Sequence, residues 1–207
     1  GLPMPVTAIA VGRAPASTTG DIYCFGGNQF ASPSGVLASI KGAWARVRNT
    51  IQQSGVVDAA LVDASGAMFL FSGDQYVRYT SPAQTFVDES YPRTIAGSWP
   101  QEGTGYSLPT SFGSGISAAL RTDDSKIYFF SGTSYARVDV SPSATPSSNA
   151  TDWGLVRNNI QAQNQVDAAF VDSTGKTFLF SGDQFVRYST TPYGFVDEGY
   201  PLSIGTR

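Results

Sequence analysis

Two aspartates head the same small apolar run. Val57-Asp58-Ala59-Ala60-Leu61-Val62-Asp63 returns 109 positions later (58 to 167) as Val166-Asp167-Ala168-Ala169-Phe170-Val171-Asp172. Carboxylates gathered about one axis would favour a positive guest, a metal cation or a polyamine. The alternative is that each side chain bonds a backbone N–H at the start of its own strand. Other reactive chemistry is scarce. There is no histidine among the 207 residues, which removes the usual general base, the commonest transition-metal ligand and any histidine-ligated haem. A Ser-His-Asp or Cys-His arrangement cannot be assembled. The lone Cys24 cannot close an intramolecular disulfide. Asp123-Asp124 reads as turn chemistry. A carboxylate pair across a ring could in principle serve glycoside hydrolysis, but nothing in the sequence marks a raised pKa or a deep cleft. No catalytic residue is assigned, and the expectation is a protein that is not an enzyme.

Recurring cations and rings point to recognition or to packing. Arg78, Arg137 and Arg187 occupy equivalent places, with Ser32 at that place in the first unit. They could meet an anionic partner, but Asp88-Glu89 and Asp197-Glu198 stand nearby for local ion pairs. Trp44, Trp99 and Trp153, with Tyr91-Pro92 and Tyr200-Pro201, could form sugar-stacking shelves; rings at equivalent repeat positions more often pack between units. Trp99, set among Gly97, Ser98 and Pro100, is expected to be the most exposed. Asn149-Ala150-Thr151 fits a glycosylation acceptor, a weak signal because such tripeptides are common.

The elements that must position these residues are legible from the repeats. Phe71-Ser72-Gly73-Asp74-Gln75-Tyr76-Val77-Arg78-Tyr79 returns as Phe180-Ser181-Gly182-Asp183-Gln184-Phe185-Val186-Arg187-Tyr188, and Phe86-Val87-Asp88-Glu89-Ser90-Tyr91-Pro92 as Phe195-Val196-Asp197-Glu198-Gly199-Tyr200-Pro201. Trp44, Val47-Arg48-Asn49 and Ile51-Gln52 correspond to Trp153, Val156-Arg157-Asn158 and Ile160-Gln161. Each half opens with a degraded copy: Val6-Thr7-Ala8-Ile9-Ala10 and Ile116-Ser117-Ala118-Ala119-Leu120 stand in the Asp-Ala-Ala places. The chain is four units of roughly 45–55 residues in A-B-A-B order, a length that fits propeller blades. The small apolar run suits an inner strand, the aromatic run and its Ser-Gly-Asp turn a hairpin, and the rest an outer segment. Short helices are expected within 88–99 and 44–53. The predicted fold class is all-β, a single four-bladed β-propeller over 1–207, with blades at about 6–55, 56–105, 115–164 and 165–207.

Composition narrows the function classes. A net charge of −3 with 14% charged residues leaves no electrostatic footprint for nucleic acid. Apolar runs such as Ala67–Phe71 fall far short of the roughly 20 residues of a membrane span. The start, Gly1-Leu2-Pro3-Met4-Pro5, does not read as a signal peptide, and both secreted and cytoplasmic settings stay open.

With Asp-Ala-Ala-Phe, Tyr-Phe-Phe-Ser-Gly, Tyr-Val-Arg-Tyr and Val-Asp-Glu-x-Tyr-Pro in series, the units resemble haemopexin-type repeats from about Val6 to Ile204. The resemblance is specific in the second and fourth units, good in the third and loose in the first. The third unit, with Tyr135-Ala136-Arg137-Val138 and Ser141-Pro142-Ser143-Ala144-Thr145, also looks like the plant seed albumins of this fold. What the resemblance implies is a propeller around a tunnel, where main-chain carbonyls of the first and third residues of each inner segment hold calcium or sodium, often with chloride. Carried over, the first residues are Thr7, Asp58, Ser117 and Asp167, and the third are Ile9, Ala60, Ala119 and Ala169; a hard cation needs only such oxygens. There are two departures. Cys24 has no partner for the disulfide that ties first to last blade in many relatives, so closure must rest on pairing and packing. One propeller without histidine also gives no expectation of haem. The implied function is a non-enzymatic, carbohydrate-binding (lectin-like) protein with a tunnel ion. The alternatives are polyamine capture, or recognition of a protein partner, with a toxin or defence role compatible with either. A homodimer is compatible with the sequence, and no ligand-binding side chain is assigned.

Overall fold

Among the described residues sixteen short strands form four antiparallel sheets in chain order, and each sheet is one blade. The computed structural model describes residues 5–12, 21–44, 50–80, 86–99, 107–138, 145–153, 159–190, 193 and 195–205. Blade 1 comprises β1 (Ala8–Gly12), β2 (Asp21–Gly26), β3 (Gln29–Ala31) and β4 (Leu37–Ser39). Blade 2 comprises β5 (Ala59–Val62), β6 (Met68–Ser72), β7 (Gln75–Tyr79) and β8 (Arg93–Thr94). Blade 3 comprises β9 (Ala118–Arg121), β10 (Ile127–Ser131), β11 (Ser134–Arg137) and β12 (Ser147–Ser148). Blade 4 comprises β13 (Ala168–Val171), β14 (Thr177–Ser181), β15 (Gln184–Tyr188) and β16 (Leu202–Ser203). The all-β, four-bladed propeller read from the repeats is the fold. Val47-Arg48-Asn49, Pro100, most of Ser141–Thr145, Val156-Arg157-Asn158 and Gly1–Met4 lie outside the described residues.

Turn chemistry fixes the register. Between the second and third strands of the four blades stand Gly27, Gly73, Gly132 and Gly182, at φ of +54°, +59°, +53° and +59°. A two-residue hairpin needs this left-handed conformation, and only glycine adopts it without a Cβ penalty. Between the first and second strands of blade 2, Asp63 Oδ1 accepts from the Ser65 N–H (2.8 Å), the Ser65 hydroxyl (2.6 Å) and the Ala67 N–H (3.0 Å). Asp172 does the same in blade 4 through Thr174 and Lys176. Such carboxylate-braced turns place successive strands side by side.

The inner strands β1, β5, β9 and β13 neighbour one another in cyclic order, so blades 2 and 4 face each other across the axis. Small residues permit that approach: Ala8, Ala59, Ala118 and Ala168 are at most 1% exposed. The core lies between blades as four aromatic and aliphatic clusters, one at each junction. Three junctions are centred on a tryptophan. Trp44 meets Phe25, Phe30 and Tyr79 edge-on; Trp99 meets Phe69, Phe71, Tyr76 and Phe129; Trp153 meets Tyr128, Phe130 and Tyr188. Edge-to-face contacts of this kind add to the burial of the rings.

Two expectations are corrected here. Trp99 is buried: at 6% it is only marginally more exposed than Trp44 (4%) and Trp153 (3%), and it offers no exposed ring. Its Gly-Ser surroundings form a turn, with Gly97 at φ +77°, that folds the ring inward across blade 2. In residues 88–99 the expected helix is only that turn at Ile95–Ser98, directly after β8, whereas Thr50–Ser54 is a true short helix, matched by Asn159–Gln163.

Candidate functional site: the axial tunnel and its mouth

The inner strands all run the same way, so the tunnel has a head end, where they start, and a mouth, where they end. At the head, Thr7, Asp58, Ser117 and Asp167 each donate a backbone N–H to the second strand of their blade, at 2.8–2.9 Å. The side chains are tied off as well. Asp58 Oδ2 accepts the Gly73 N–H and Asp167 Oδ2 the Gly182 N–H, both at 2.7 Å, while the Gln165 amide donates to Asp167 Oδ1 at 2.6 Å. Thr7 and Ser117 instead donate their hydroxyls across the junction, to the carbonyls of Val57 (2.8 Å) and Val166 (2.6 Å). The carboxylates therefore bond the backbone at a strand start, the alternative to a polyamine trap, and the observation that motivated the trap is gone.

One step along each inner strand the backbone is differently placed. The N–H groups of Asp63, Thr122 and Asp172 bond across their hairpins at 2.8–3.0 Å. In an antiparallel ladder bonded and non-bonded residues alternate, so counting back leaves Ala60, Ala119 and Ala169 outside the ladder. The equivalent register of Ala8 with Phe25 leaves Ile9 there too. Their carbonyls turn away from the second strand, toward the inner strands of the neighbouring blades. Among the described residues no group of three or more Asp, Glu or Cys side chains could hold a metal, so any ion in this tunnel would depend on main-chain oxygen.

The mouth opens into a cavity of about 530 Å³, bordered by all four inner strands and by the turns that follow three of them. Asp63, Arg121, Asp123 and Asp172 bring one positive and three negative side chains to its wall, with Thr80 and Ser173 between them. Arg121 is braced by a 2.8 Å bond from Nη2 to the Ser125 hydroxyl. The Asp172 carboxyl is pushed up by burial, but bonds from the Thr174 hydroxyl and the Lys176 and Thr174 N–H groups outweigh this and hold it below its ordinary value. The volume lies within the range of small-molecule sites, and the wall is more polar than such sites usually are. The sequence reading missed this cavity. Its only trace in the sequence is an aspartate at the end of the inner strand in blades 2 and 4, Asp63 and Asp172.

The other marked residues are structural. Arg78 Nε bonds Asp88 Oδ2 at 2.6 Å and Arg187 Nε bonds Asp197 Oδ2 at 2.5 Å, each guanidinium lying 5.0 Å over a ring, of Tyr91 or Tyr200. These are the in-blade ion pairs expected. Arg137 instead sits by the Tyr128 hydroxyl. Asn149 is fully buried and donates its amide to the carbonyls of Gly132 (3.0 Å) and Asn164 (3.2 Å), a role that leaves no glycan acceptor. Asp123 and Asp124 lie in the β9–β10 turn, where Asp124 pairs with Lys126.

Comparison with known proteins gives the same architecture. The Hemopexin family model matches residues 57–101 and 166–207, which are blades 2 and 4. Albumin-2 of Pisum sativum is 35% identical over 107 residues, 49% of this chain and 44% of that protein, so the match spans less than half of the relative. Among solved structures, the seed albumin LS24 of Lathyrus sativus superposes with a TM-score of 0.72 at 20% identity, over 99% of this chain and 94% of that one. A Cicer arietinum protein described as a plant lectin with two metal-binding sites superposes at 0.69 and 19% identity, over 96% and 92%. At such identities the superpositions speak for the fold. Together with the A-B-A-B repeats and the four sheets around a common axis, these matches support a haemopexin-like repeat family, carried in sequence by blades 2 and 4.

Proposed function

We propose that this protein is a non-enzymatic carbohydrate-binding propeller whose recognition site is the mouth cavity and whose tunnel holds a hard cation on main-chain oxygen. The observation that carries the reading is the cavity itself: about 530 Å³ at the end of the tunnel, with Asp63, Asp123 and Asp172 as acceptors and Arg121 as donor. Sugar hydroxyls are satisfied by such a mixed set, and the Asp63 and Asp172 carboxylates, already braced by their own turns, lose little freedom on binding. The lectin description of the chickpea protein of the same fold supports the class of ligand. Carbonyls of Ile9, Ala60, Ala119 and Ala169, with those of Thr7, Asp58, Ser117 and Asp167, would hold calcium or sodium, and the ion would fasten the four inner strands together. Chloride, haem and nucleic acid have no part in this reading. Recognition of a protein partner at the same mouth is the second reading, supported by exposed Phe86 and Phe195, which sit at equivalent places in the facing blades 2 and 4.

The test is a glycan-array screen with calcium and with chelator, followed by titration of the best glycan into Arg121→Ala and Asp123→Ala. Reproducible binding that a simple sugar competes, and that either variant weakens about tenfold or more, is expected, since a hydrogen bond to a charged group contributes about 1.5–3 kcal/mol. A blank array in both conditions would sink the carbohydrate reading. An unchanged melting temperature after chelation and metal analysis would remove calcium, because an ion that binds only the folded ring must stabilise it.

A further inference from the structure

The fourth blade junction has the walls of a tryptophan site and no tryptophan. At the junction of blades 2 and 3, Trp99 fits between Phe69, Phe71 and Tyr76 on one side and Phe129 on the other, at centroid distances of 5.2–5.4 Å. At the junction of blades 4 and 1, register equivalence puts Phe178, Phe180 and Phe185 in the first three places and Cys24 in the fourth. The backbones match up to the turn that delivers the indole: Ile95 N–H bonds Asp74 O at 2.8 Å, and Ile204 N–H bonds Asp183 O at 2.7 Å. All three indoles of the 207 residues are buried at the other junctions.

The consequence is visible in exposure. Phe69, Phe71 and Tyr76 are each 1% exposed, whereas Phe178 and Phe185 are only half-buried and Leu202 beside them is 45% exposed. The opposite face of the same blade is sealed, with Leu179 and Val186 at 0% and 1%. The open rings line up as a wall: Phe170 and Phe178 stack at 4.9 Å, and Phe180 and Phe185 at 5.5 Å. This wall is the outward continuation of the blade 4–blade 1 interface, where Val6, Ile9, Cys24 and Ala31 pack against Ala168 and Phe180.

We infer that this seam is a docking slot for a tryptophan side chain of a polypeptide, supplied from outside these 207 residues. The three filled junctions identify the occupant by its ring. Among the described residues the indole N–H of Trp44, Trp99 and Trp153 meets no acceptor, so the ring faces and edges do the holding, and an indole entering the fourth place needs no polar partner. Binding would cover Phe178 and Phe185 and shield Cys24, which is 7% exposed and lies on the slot's blade 1 side. The slot is distinct from the tunnel mouth, so it stands whether or not the protein binds sugar.

The experiment is titration of the 207-residue protein with N-acetyl-L-tryptophanamide while following Cys24 alkylation by iodoacetamide and the melting temperature. At a probe concentration ten times its dissociation constant, alkylation is expected to slow about tenfold and the melting temperature to rise, as mass action requires. The 1-methylindole analogue should act equally and N-acetyl-L-leucinamide should not. Phe185→Ala should abolish protection; Phe178→Leu, a milder change, serves if that variant fails to fold. No protection up to the solubility limit overturns the slot. Protection that survives both substitutions, or is matched by the leucine probe, overturns the indole assignment.

Discussion

The junction between blades 2 and 3 and the junction that closes the ring are built from equivalent strands and filled differently. In the first, the chain runs on from one blade to the next, and Trp99, Ile95 and Phe112 are carried into the gap by the connecting segment, at 6%, 1% and 1% exposure. In the second, the first and last blades meet without such a segment among the described residues, and phenylalanines that a tryptophan would cover stay half-open. Blades 2 and 4 present equivalent rings to the two junctions, Phe69, Phe71 and Tyr76 in one and Phe178, Phe180 and Phe185 in the other, so what separates the sealed junction from the unsealed one is what fills the gap between blades. Closing a propeller therefore concentrates its weakness in one seam, and in this chain Cys24 offers no covalent remedy there.

The widest separation between the two junctions is expected on truncating their rings. Trp99→Ala should cost about 3–5 kcal/mol, because it removes a buried ring and leaves a cavity among four aromatic neighbours. Phe185→Ala should cost about 1–2 kcal/mol, since a half-buried ring forfeits only part of its transfer free energy. Urea midpoints of the two variants at unchanged slope give the comparison directly; equal costs would mean that the seam is as well packed as its counterpart. A native-state experiment refines it. Cys24 should react with a thiol reagent through partial opening of the seam, with a weaker urea dependence than global unfolding, because less surface is exposed. If Cys24 reacts only with the full urea slope of unfolding, the seam is not the weak point.

Much of this contrast was legible in the sequence and some was not. The repeats place Cys24 in blade 1 where Phe129 stands in blade 3 and give Arg78 and Arg187 their acidic partners, because period and spacing survive in the linear chain. Trp99 was misplaced for a physical reason: Gly97 and Ser98 describe a turn but not which way it sends the next ring, and that direction is set by the apolar gap beside Phe69 and Phe71. Asp58 and Asp167 allowed two readings because a carboxylate at a strand start can face the axis or its own hairpin; the nearby Gly73 and Gly182 N–H groups decide it. The mouth cavity escaped notice because it is made by convergence of turns from separate blades, whose sequences share only the single aspartate that ends the inner strand of blades 2 and 4.

The ion pairs supply a control in which the two sides should agree. Burial pushes up the carboxyls of Asp88 and Asp197, but bonds from Thr80 and Arg78 in one blade, and from Ser189 and Arg187 in the other, outweigh it and hold both below their ordinary value. A depressed folded-state value means stability that is present above the unfolded carboxylate range, near pH 4, and is lost as pH falls through the folded value. Asp88→Asn should therefore remove about 1 kcal/mol near neutral pH and flatten the acid limb of the stability curve. Asp197→Asn should flatten the same limb. A difference between the two limbs would show that the open seam reaches outward as far as these partly buried pairs, and so would extend the contrast beyond the aromatic rings.

The smallest expected effect is the most discriminating, because its sign depends on whether the seam has room. Cys24→Phe restores the ring that Phe129 supplies at the junction of blades 2 and 3. In a filled core the larger side chain would be overpacked and cost about 1–3 kcal/mol. The cluster at the seam that contains Cys24 is flanked by Phe178 and Phe185, which are half-buried and can be covered rather than displaced. Covering some tens of Å² of apolar surface contributes about 1 kcal/mol, so a slight net stabilisation is expected, seen as a small rise in the urea midpoint. The same change should tighten binding of N-acetyl-L-tryptophanamide, since it completes the fourth wall of the slot. A destabilised variant would mean that Ile9 and Ala31 already fill the space beside Cys24, and that the seam is open at its rim but closed at its base.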